Sequence, residues 1–356
     1  MKEWLDSYEE RDWQTTTDGS VRYALIGLGW WTVDVALPAI ESSELGEVTT
    51  LVSSTTEKAQ RLADANGVDH GISYDEFHEG KAESAYDAVY VGTPNAFHLE
   101  YVETAASLGK AILCEKPMES TVERAKRVVE TCDDADVPLM VAYRMHTDPA
   151  VRRARDLIES GFIGEPVSVY GNNTQPLLKM IPDEDQWRLD PELSGYGTSV
   201  MDLGIYSINT ARFLLDRDPV AVQSQMSSHH DAFEDVPDER SGALLVLEDD
   251  VKMVTTDSQN AHEDTQLKIT GTEGQIDLHP AFHGKCSLHL SRNDTKVTVE
   301  HETFDDEREM REEFDYFSDR ILSDTPVYAD GRHGLEDMRI ISAIHEAART
   351  NEVVEL

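Results

Sequence analysis

Val21-Arg22-Tyr23-Ala24-Leu25-Ile26-Gly27-Leu28-Gly29-Trp30-Trp31-Thr32 reads as a short apolar strand running into a glycine turn. In such a turn the first glycine permits the sharp change of direction. The second lets an anionic group approach the backbone at a helix N-terminus. Gly27 and Gly29 fill these two places, Thr32 stands where a third glycine is common, and Pro38 must kink or delay the helix that follows. A Gly-x-Gly pair alone is a weak signal; its weight comes from standing at the first strand of an alternating pattern.

Further strands are predicted over residues 48–52, 88–91, 111–114 and 139–142. Between them lie helices over 55–66, with Ser54 cap-like and Gly67 past the end, up to Gly109, and over 122–131. Strands alternating with helices of this length predict a parallel sheet covered on both faces. After Arg144 the texture changes. Helices are predicted over 148–160 and 199–215, with an extended segment at 167–170 between them. Short alternating segments then follow at 243–247, 251–256, 266–270, 275–278, 287–290 and 296–300, which predicts an antiparallel sheet. Helices over 308–322 and 335–348 close the chain. The fold class is therefore α/β, an N-terminal Rossmann-type parallel sheet plus a C-terminal α+β domain with an open, mostly antiparallel sheet. The predicted divisions are an N-terminal arm (1–20, with Trp4, Tyr8 and Trp13), a dinucleotide-binding domain (21–144), and a substrate and oligomerisation domain (145–356) whose last helix packs back on the first domain. The arm needs a surface to pack on, its own chain or a neighbouring subunit.

The 356 residues carry 70 acidic and 31 basic side chains, a formal net charge of −39. The excess is spread through the chain, as at Asp133-Asp134, Glu248-Asp249-Asp250 and Asp305-Asp306-Glu307, and dense salt must screen its self-repulsion. We read it as adaptation to a cytoplasm of molar salt. Such a surface repels nucleic acid and anionic membranes. No apolar run approaches the roughly 20 residues of a membrane span, and the opening MKEWLDSYEER lacks a signal-peptide pattern. Three cysteines, Cys114, Cys132 and Cys286, are too few and too scattered for a disulfide framework. A cytoplasmic protein is expected.

The end of the second strand decides which dinucleotide fits. An acid about 20 residues past the glycines would bind a ribose 2′-hydroxyl and repel a 2′-phosphate. Ser53-Ser54-Thr55-Thr56, with Lys58 one turn on, offers donors instead, so NADP is expected over NAD. Glu115-Lys116-Pro117 follows a buried parallel strand, where the ligands of open α/β sheets lie. Asp202 and Tyr206, four residues apart, share one face of a predicted helix. A phenol beside an ammonium has its phenolate favoured and is suited to act as a base. The other reading is a buried tyrosine bonded to a neighbouring aspartate. No His, Asp or Glu grouping has metal-site spacing, and no nucleophile elbow occurs. The acidic run 305–313 reads as a solvated helix start, and His229-His230 as exposed surface.

The segments ALIGLGWW (24–31), LVSSTTEKA (51–59), VYVGTPNAFH (89–98), CEKPM (114–118), AYRMHTDP (142–149), QWRLDPELSGYG (186–197), MDLGIYSIN (201–209) and IHEAARTNEVV (344–354) together resemble the Gfo/Idh/MocA oxidoreductase family, from Val21 to Leu356. The tyrosine at position 206, where many relatives have histidine, resembles the glucose–fructose oxidoreductase and dihydrodiol dehydrogenase branch. The resemblance implies NADP-dependent oxidation of an aldose, D-xylose first, at C1 to the lactone. Dihydrodiol or other sugar dehydrogenases, an oxidoreductase recycling retained nucleotide, and non-catalytic NADP-sensing regulators on the same scaffold are the alternatives.

It also implies roles. Lys116 stands beside the nicotinamide, Tyr206 is the base, and Asp202 orients sugar hydroxyls. Gly27, Leu28, Gly29, Trp30 and Trp31 cradle the pyrophosphate, while Ser53, Ser54 and Lys58 hold the 2′-phosphate. Thr93, Pro94, Asn95 and His98 border the ribose sugars, Glu115 joins the cofactor-binding residues, and Arg144, Trp187 and Arg188 approach cofactor or sugar. No metal is implied. A homo-oligomer, dimer or tetramer, would form through the open sheet, and the arm resembles one used across a subunit interface.

Overall fold

The computed structural model describes residues 11–16, 18–284, 286–300 and 306–356, together with Trp4. Two compact units are present: Trp13–Arg144 with Glu307–Met338, and Met1–Asp12 with Met145–Asp306 and Arg339–Leu356. The chain thus leaves the first unit at Arg144 and returns to it at Glu307, which a division into 21–144 and 145–356 does not capture. The long last helix, Gly331–Thr350, belongs to the first unit through Met338 and to the second beyond it.

The first unit is built on a parallel sheet of six strands among the described residues: β1 (Val21–Ile26), β2 (Gly46–Ser53), β3 (His70–Ser73), β4 (Ala88–Val91), β5 (Ala111–Glu115) and β6 (Leu139–Ala142), in the order β3-β2-β1-β4-β5-β6. Strand order reverses between β1 and β4, and the crevice beyond their carboxyl ends is where such sheets take ligands. β3 was not foreseen, because its four residues HGIS carry neither length nor apolar alternation. The helix after β2 is Thr56–Asn66, capped by Thr55, whose hydroxyl accepts from Lys58 N at 3.2 Å. Ser54 is not the cap.

The returning helix Asp306–Ser323 closes this unit. Phe314 is fully buried between Tyr23 on β1 and Tyr90 on β4, with ring centroids 5.4 Å from each. Burying one such side chain contributes about 1.5–3 kcal/mol. The same helix overturns one sequence expectation. Glu309, Glu312 and Glu313 are buried, as are Asp315 and Asp319 further along, so this is no solvated face. Their burial is tolerable because most are satisfied. Asp315 Oδ1 accepts from Ser43 Oγ (2.6 Å) and from Glu44 N and Leu45 N (2.9 and 3.1 Å). Thr15 N and Thr16 N both donate to Asp319 Oδ1 at 2.7 Å. Burial works against the Asp319 carboxylate, yet these N–H groups and Arg320 hold its pKa below the ordinary value. Glu313 goes the other way: burial, then the neighbouring Glu115, pushes its pKa well up.

The second unit carries a nine-stranded sheet among the described residues. Its strands are β7 (Pro166–Pro176), β8 (Pro219–Ser227), β9 (Arg240–Leu247), β10 (Lys252–Ser258), β11 (Asn260–Gly271), β12 (Gly274–Leu278), β13 (Ser287–Arg292), β14 (Thr295–Glu300) and β15 (Val354–Glu355). The order is β14-β13-β12-β11-β7-β10-β9-β8-β15, with only the β7–β10 pair parallel. The helix Ile205–Leu215 packs closely on β7, for a Cβ at Gly171 would meet Ser207 Cβ at 2.6 Å. Leu244, Val254 and Tyr170 lie in register across β9, β10 and β7, each about two-fifths exposed (42%, 40% and 40%). They form an apolar row on the sheet.

In its described residues the N-terminal arm packs on its own chain. Trp4 meets Phe162 edge-on at 5.6 Å under Arg292, and Trp13 meets Tyr316 edge-on at 5.5 Å. Tyr8 lies outside the described residues. No helix among the described residues is long and apolar enough to cross a membrane.

Candidate functional site

Gly27 takes φ +90°, and a Cβ there would sit 2.8 Å from the backbone of Gly92 and from Thr93 Cγ2. The turn after β1 therefore lies directly against the turn after β4, and only glycine allows this. At Gly29 the opposite holds: nothing lies within 4 Å of the Cβ position, so the backbone faces open space. The helix beyond begins with a π-helical stretch, Thr32–Ala36, and continues as Leu37–Glu41 with Pro38 in its first turn.

Three hydroxyls around this turn, Thr32 Oγ1, Ser53 Oγ and Thr93 Oγ1, are buried and have no hydrogen-bond partner among the described residues. Lys58 reaches across from the next helix, its Nζ donating to Leu28 O at 3.2 Å. Ser54 is exposed, and Thr56 is committed to Glu76 at 2.8 Å. Trp30 is half exposed (49%) and meets Trp31 edge-on. Unpartnered donors, an open backbone cradle and a nearby ammonium are what a phosphorylated dinucleotide requires. These residues fit NADP.

Glu115, at the end of β5, is a hub. Its Oε1 accepts from Tyr90 OH (2.7 Å) and Trp31 Nε1 (3.2 Å), and its Oε2 accepts from Lys116 N (3.1 Å). Lys116 thus stands at the carboxyl end of a central strand, joined to Pro117 by a cis peptide. His98 is fully buried, with Nε2 2.9 Å from Thr93 O and Nδ1 3.1 Å from Met118 O. It ties the Thr93-Pro94-Asn95 turn to the loop that carries Lys116. Arg144 does not lie open to a ligand: it is buried (4% exposed) under the Trp31 ring and donates to Glu309 at 2.5 Å.

In the second unit the predicted helix 199–215 is split into a π-helical turn, Val200–Gly204, and the helix Ile205–Leu215. π-bulges of this kind are frequent at functional sites. Asp202 lies in the π turn and Tyr206 in the first turn of the helix, both partly buried. Asp202 Oδ2 accepts from Arg188 Nε at 3.0 Å and from Gln259 Nε2 at 2.9 Å. Arg188 in turn covers the Trp187 ring at 4.5 Å. The Tyr206 ring is flanked by Phe282 and His283, with centroids at 5.7 and 5.5 Å. The structure joins Trp187, Arg188 and Asp202 by direct contacts and sets Tyr206 four residues on from Asp202, against Phe282 and His283, while the other predicted residues belong to the first unit. Gln259, Gln175, Phe282 and His283 were missed, for amides and loop aromatics carry no spacing signal.

Asp257 lies against the same π turn, its Oδ2 2.9 Å from where a Cβ at Gly204 would stand. Burial, only partly opposed by Ser241 and Thr255, raises its pKa from 3.8 to about 8. The folded state thus holds a proton that the unfolded chain releases above pH 3.8, and stability from this group falls as pH rises until about pH 8. Asp257→Asn is expected to change the melting temperature little at pH 4 and to raise it progressively towards pH 8. An offset independent of pH would contradict this.

The description "Oxidoreductase family, NAD-binding Rossmann fold" matches residues 21–143, and "GFO/IDH/MocA C-terminal domain" matches residues 151–277. D-xylose 1-dehydrogenase [NADP(+)] of Haloarcula marismortui is 54% identical over 354 residues, covering 98% of this chain and 97% of that protein. D-xylose 1-dehydrogenase (NADP(+)) 2 of Haloferax volcanii is 30% identical over 338 residues, covering 94% and 99%. Among solved structures, the aldose-aldose oxidoreductase of Caulobacter crescentus, complexed with glycerol, has a TM-score of 0.88 at 28% identity and covers 95% of this chain and 100% of that one.

Proposed function

The chain belongs to the Gfo/Idh/MocA oxidoreductase family, and from that premise we propose that it oxidises an aldose, D-xylose first, at C1 with NADP⁺ as acceptor. The observation that carries this reading is the 54% identity, over nearly the whole length of both chains, to a D-xylose 1-dehydrogenase [NADP(+)]. NADP⁺, when bound, supplies the hydride acceptor.

The chain's own residues do the rest. The backbone from Gly27 to Trp31 receives the pyrophosphate, and the hydroxyls of Thr32, Ser53 and Thr93 gain the partner they lack in the protein. Ser53, Ser54 and Lys58 take the 2′-phosphate, while Pro94, Asn95 and His98 shape the wall after β4. Trp187 and Arg188 approach cofactor or sugar. Tyr206 accepts the proton of the C1 hydroxyl, assisted by Lys116, and Asp202 orients the sugar hydroxyls. The sugar leaves as the 1,5-lactone, having lost one proton and one hydride.

The same reading places the protein in a salt-rich cytoplasm, in keeping with its net charge of −39 and a Haloarcula relative. It forms a homo-oligomer through the open sheet, where the row Leu244, Val254 and Tyr170 offers apolar surface. The test is an initial-rate panel in molar KCl, with NADP⁺ and NAD⁺ against xylose, arabinose, ribose and glucose. NADPH formation fastest with xylose is expected. No sugar-dependent reduction of either nucleotide would overturn the reading.

A further inference from the structure

We propose that Gln259, with Gln175 behind it, is a positioning residue that fixes the carboxylate of Asp202; the kinetic consequence rests on the reading above, the structural one does not. Gln259 is fully buried where β10 passes into β11, and every part of it is engaged. Its N–H donates to Ser199 Oγ at 3.0 Å, and its backbone oxygen accepts from Leu177 N at 2.9 Å. Its Oε1 accepts from Gln175 Nε2 at 2.7 Å, and its Nε2 donates to Asp202 Oδ2 at 2.9 Å.

The order of these bonds sets the polarity of the chain. Gln175, on β7, presents an NH₂ group, so the Gln259 amide must turn its oxygen to Gln175 and its NH₂ to Asp202. A flipped amide would put two NH₂ groups together at one end and oxygen against carboxylate at the other. Arg188 Nε supplies a second donor to the same Oδ2. One oxygen of Asp202 is thereby held by two N–H donors from different segments, which fixes the rotamer. Among the described residues, Asp202 is the charged group bonded to this amide and Arg188 is bonded to the same carboxylate; buried Glu239 lies close, its backbone oxygen 3.3 Å from Gln259 N, and Asp257 lies against Gly204 of the same π turn. A misplacement of about 1 Å in a reacting arrangement can cost 10²-fold in rate, so a buried amide with no reacting atom of its own still bears on catalysis.

Gln259→Leu and Gln259→Glu test this. The leucine variant is expected to lose about 10–100-fold in kcat/KM for the sugar, with NADP⁺ affinity kept within twofold by fluorescence titration. In Gln259→Glu the introduced carboxyl, while protonated, donates to Asp202 as the amide does; once ionised it cannot, and it repels the carboxylate. Its activity should stay near wild type in acid and fall through one added ionisation as pH rises, and its melting temperature should drop relative to wild type over the same pH range. The melting profile needs no turnover, and it decides the matter even if the leucine variant fails to fold. A Gln259→Glu melting profile parallel to wild type, or a folded Gln259→Leu with unchanged kcat/KM, overturns the proposal. Absence of sugar oxidation by the wild-type protein overturns the functional reading instead, and leaves the melting test standing.

Discussion

Tyr206→Phe is expected to lower kcat for aldose oxidation by about 10²–10⁴-fold, the usual worth of a general base, and to leave NADP⁺ binding unchanged. The substitution removes one oxygen. The ring it leaves keeps its contacts with Phe282 and His283, so neither the helix Ile205–Leu215 nor its packing on β7 is disturbed. On the mechanism proposed above, what is lost is the group that takes the C1 proton, without which hydride departure would leave a protonated, cationic carbonyl. Steady-state rates and a fluorescence titration with NADPH separate the two effects. A variant within twofold of wild type in kcat would remove Tyr206 from the mechanism.

Gly27→Ala should be as damaging by a different route. The residue holds φ +90°, where a side chain is strained, and the new Cβ would stand 2.8 Å from both the carbonyl carbon and the oxygen of Gly92. Neither is the flexible end of a side chain. The turn can accept the methyl group only by pushing the β1 and β4 exits apart, and those exits carry the open backbone at Gly29 and the unpartnered hydroxyls of Thr32 and Thr93. Overpacking of this kind costs about 1–3 kcal/mol. We expect a lower melting temperature and at least a tenfold weaker NADP⁺ affinity, read by calorimetry. Gly29→Ala, which meets no protein atom, should spare stability and weaken only the nucleotide. Equal melting losses in both variants would contradict this account.

Much of the architecture was legible because it rests on local signals. The strand–glycine turn at 21–29, the alternation that follows and the run of short strands after Val220 are patterns of period and punctuation, and the two sheets follow from them. What was illegible is non-local. The acids of Asp306–Ser323 look solvated in a list of residues, and only the fold shows that Ser43, Thr15, Thr16 and Arg144 meet them inside. For the same reason the sequence points to a return to the first domain only at the last helix, whereas the first unit takes the chain back from Glu307. β3 was hidden by its shortness, and the π turn Val200–Gly204 by a spacing that an ordinary helix would also satisfy. The candidate residues that the sequence offers are those bound to motifs. Gln175 and Gln259, neutral amides from two different strands' ends, became visible only through the hydrogen bonds that join them to Asp202.

The central claim, hydride transfer from C1 of an aldose to NADP⁺, is tested most directly with D-xylose deuterated at C1. In molar KCl the purified protein should form NADPH carrying the deuterium at nicotinamide C4, in amounts matching the lactone released. Deuterium retained in the sugar, or NADPH formed without the label, would contradict it.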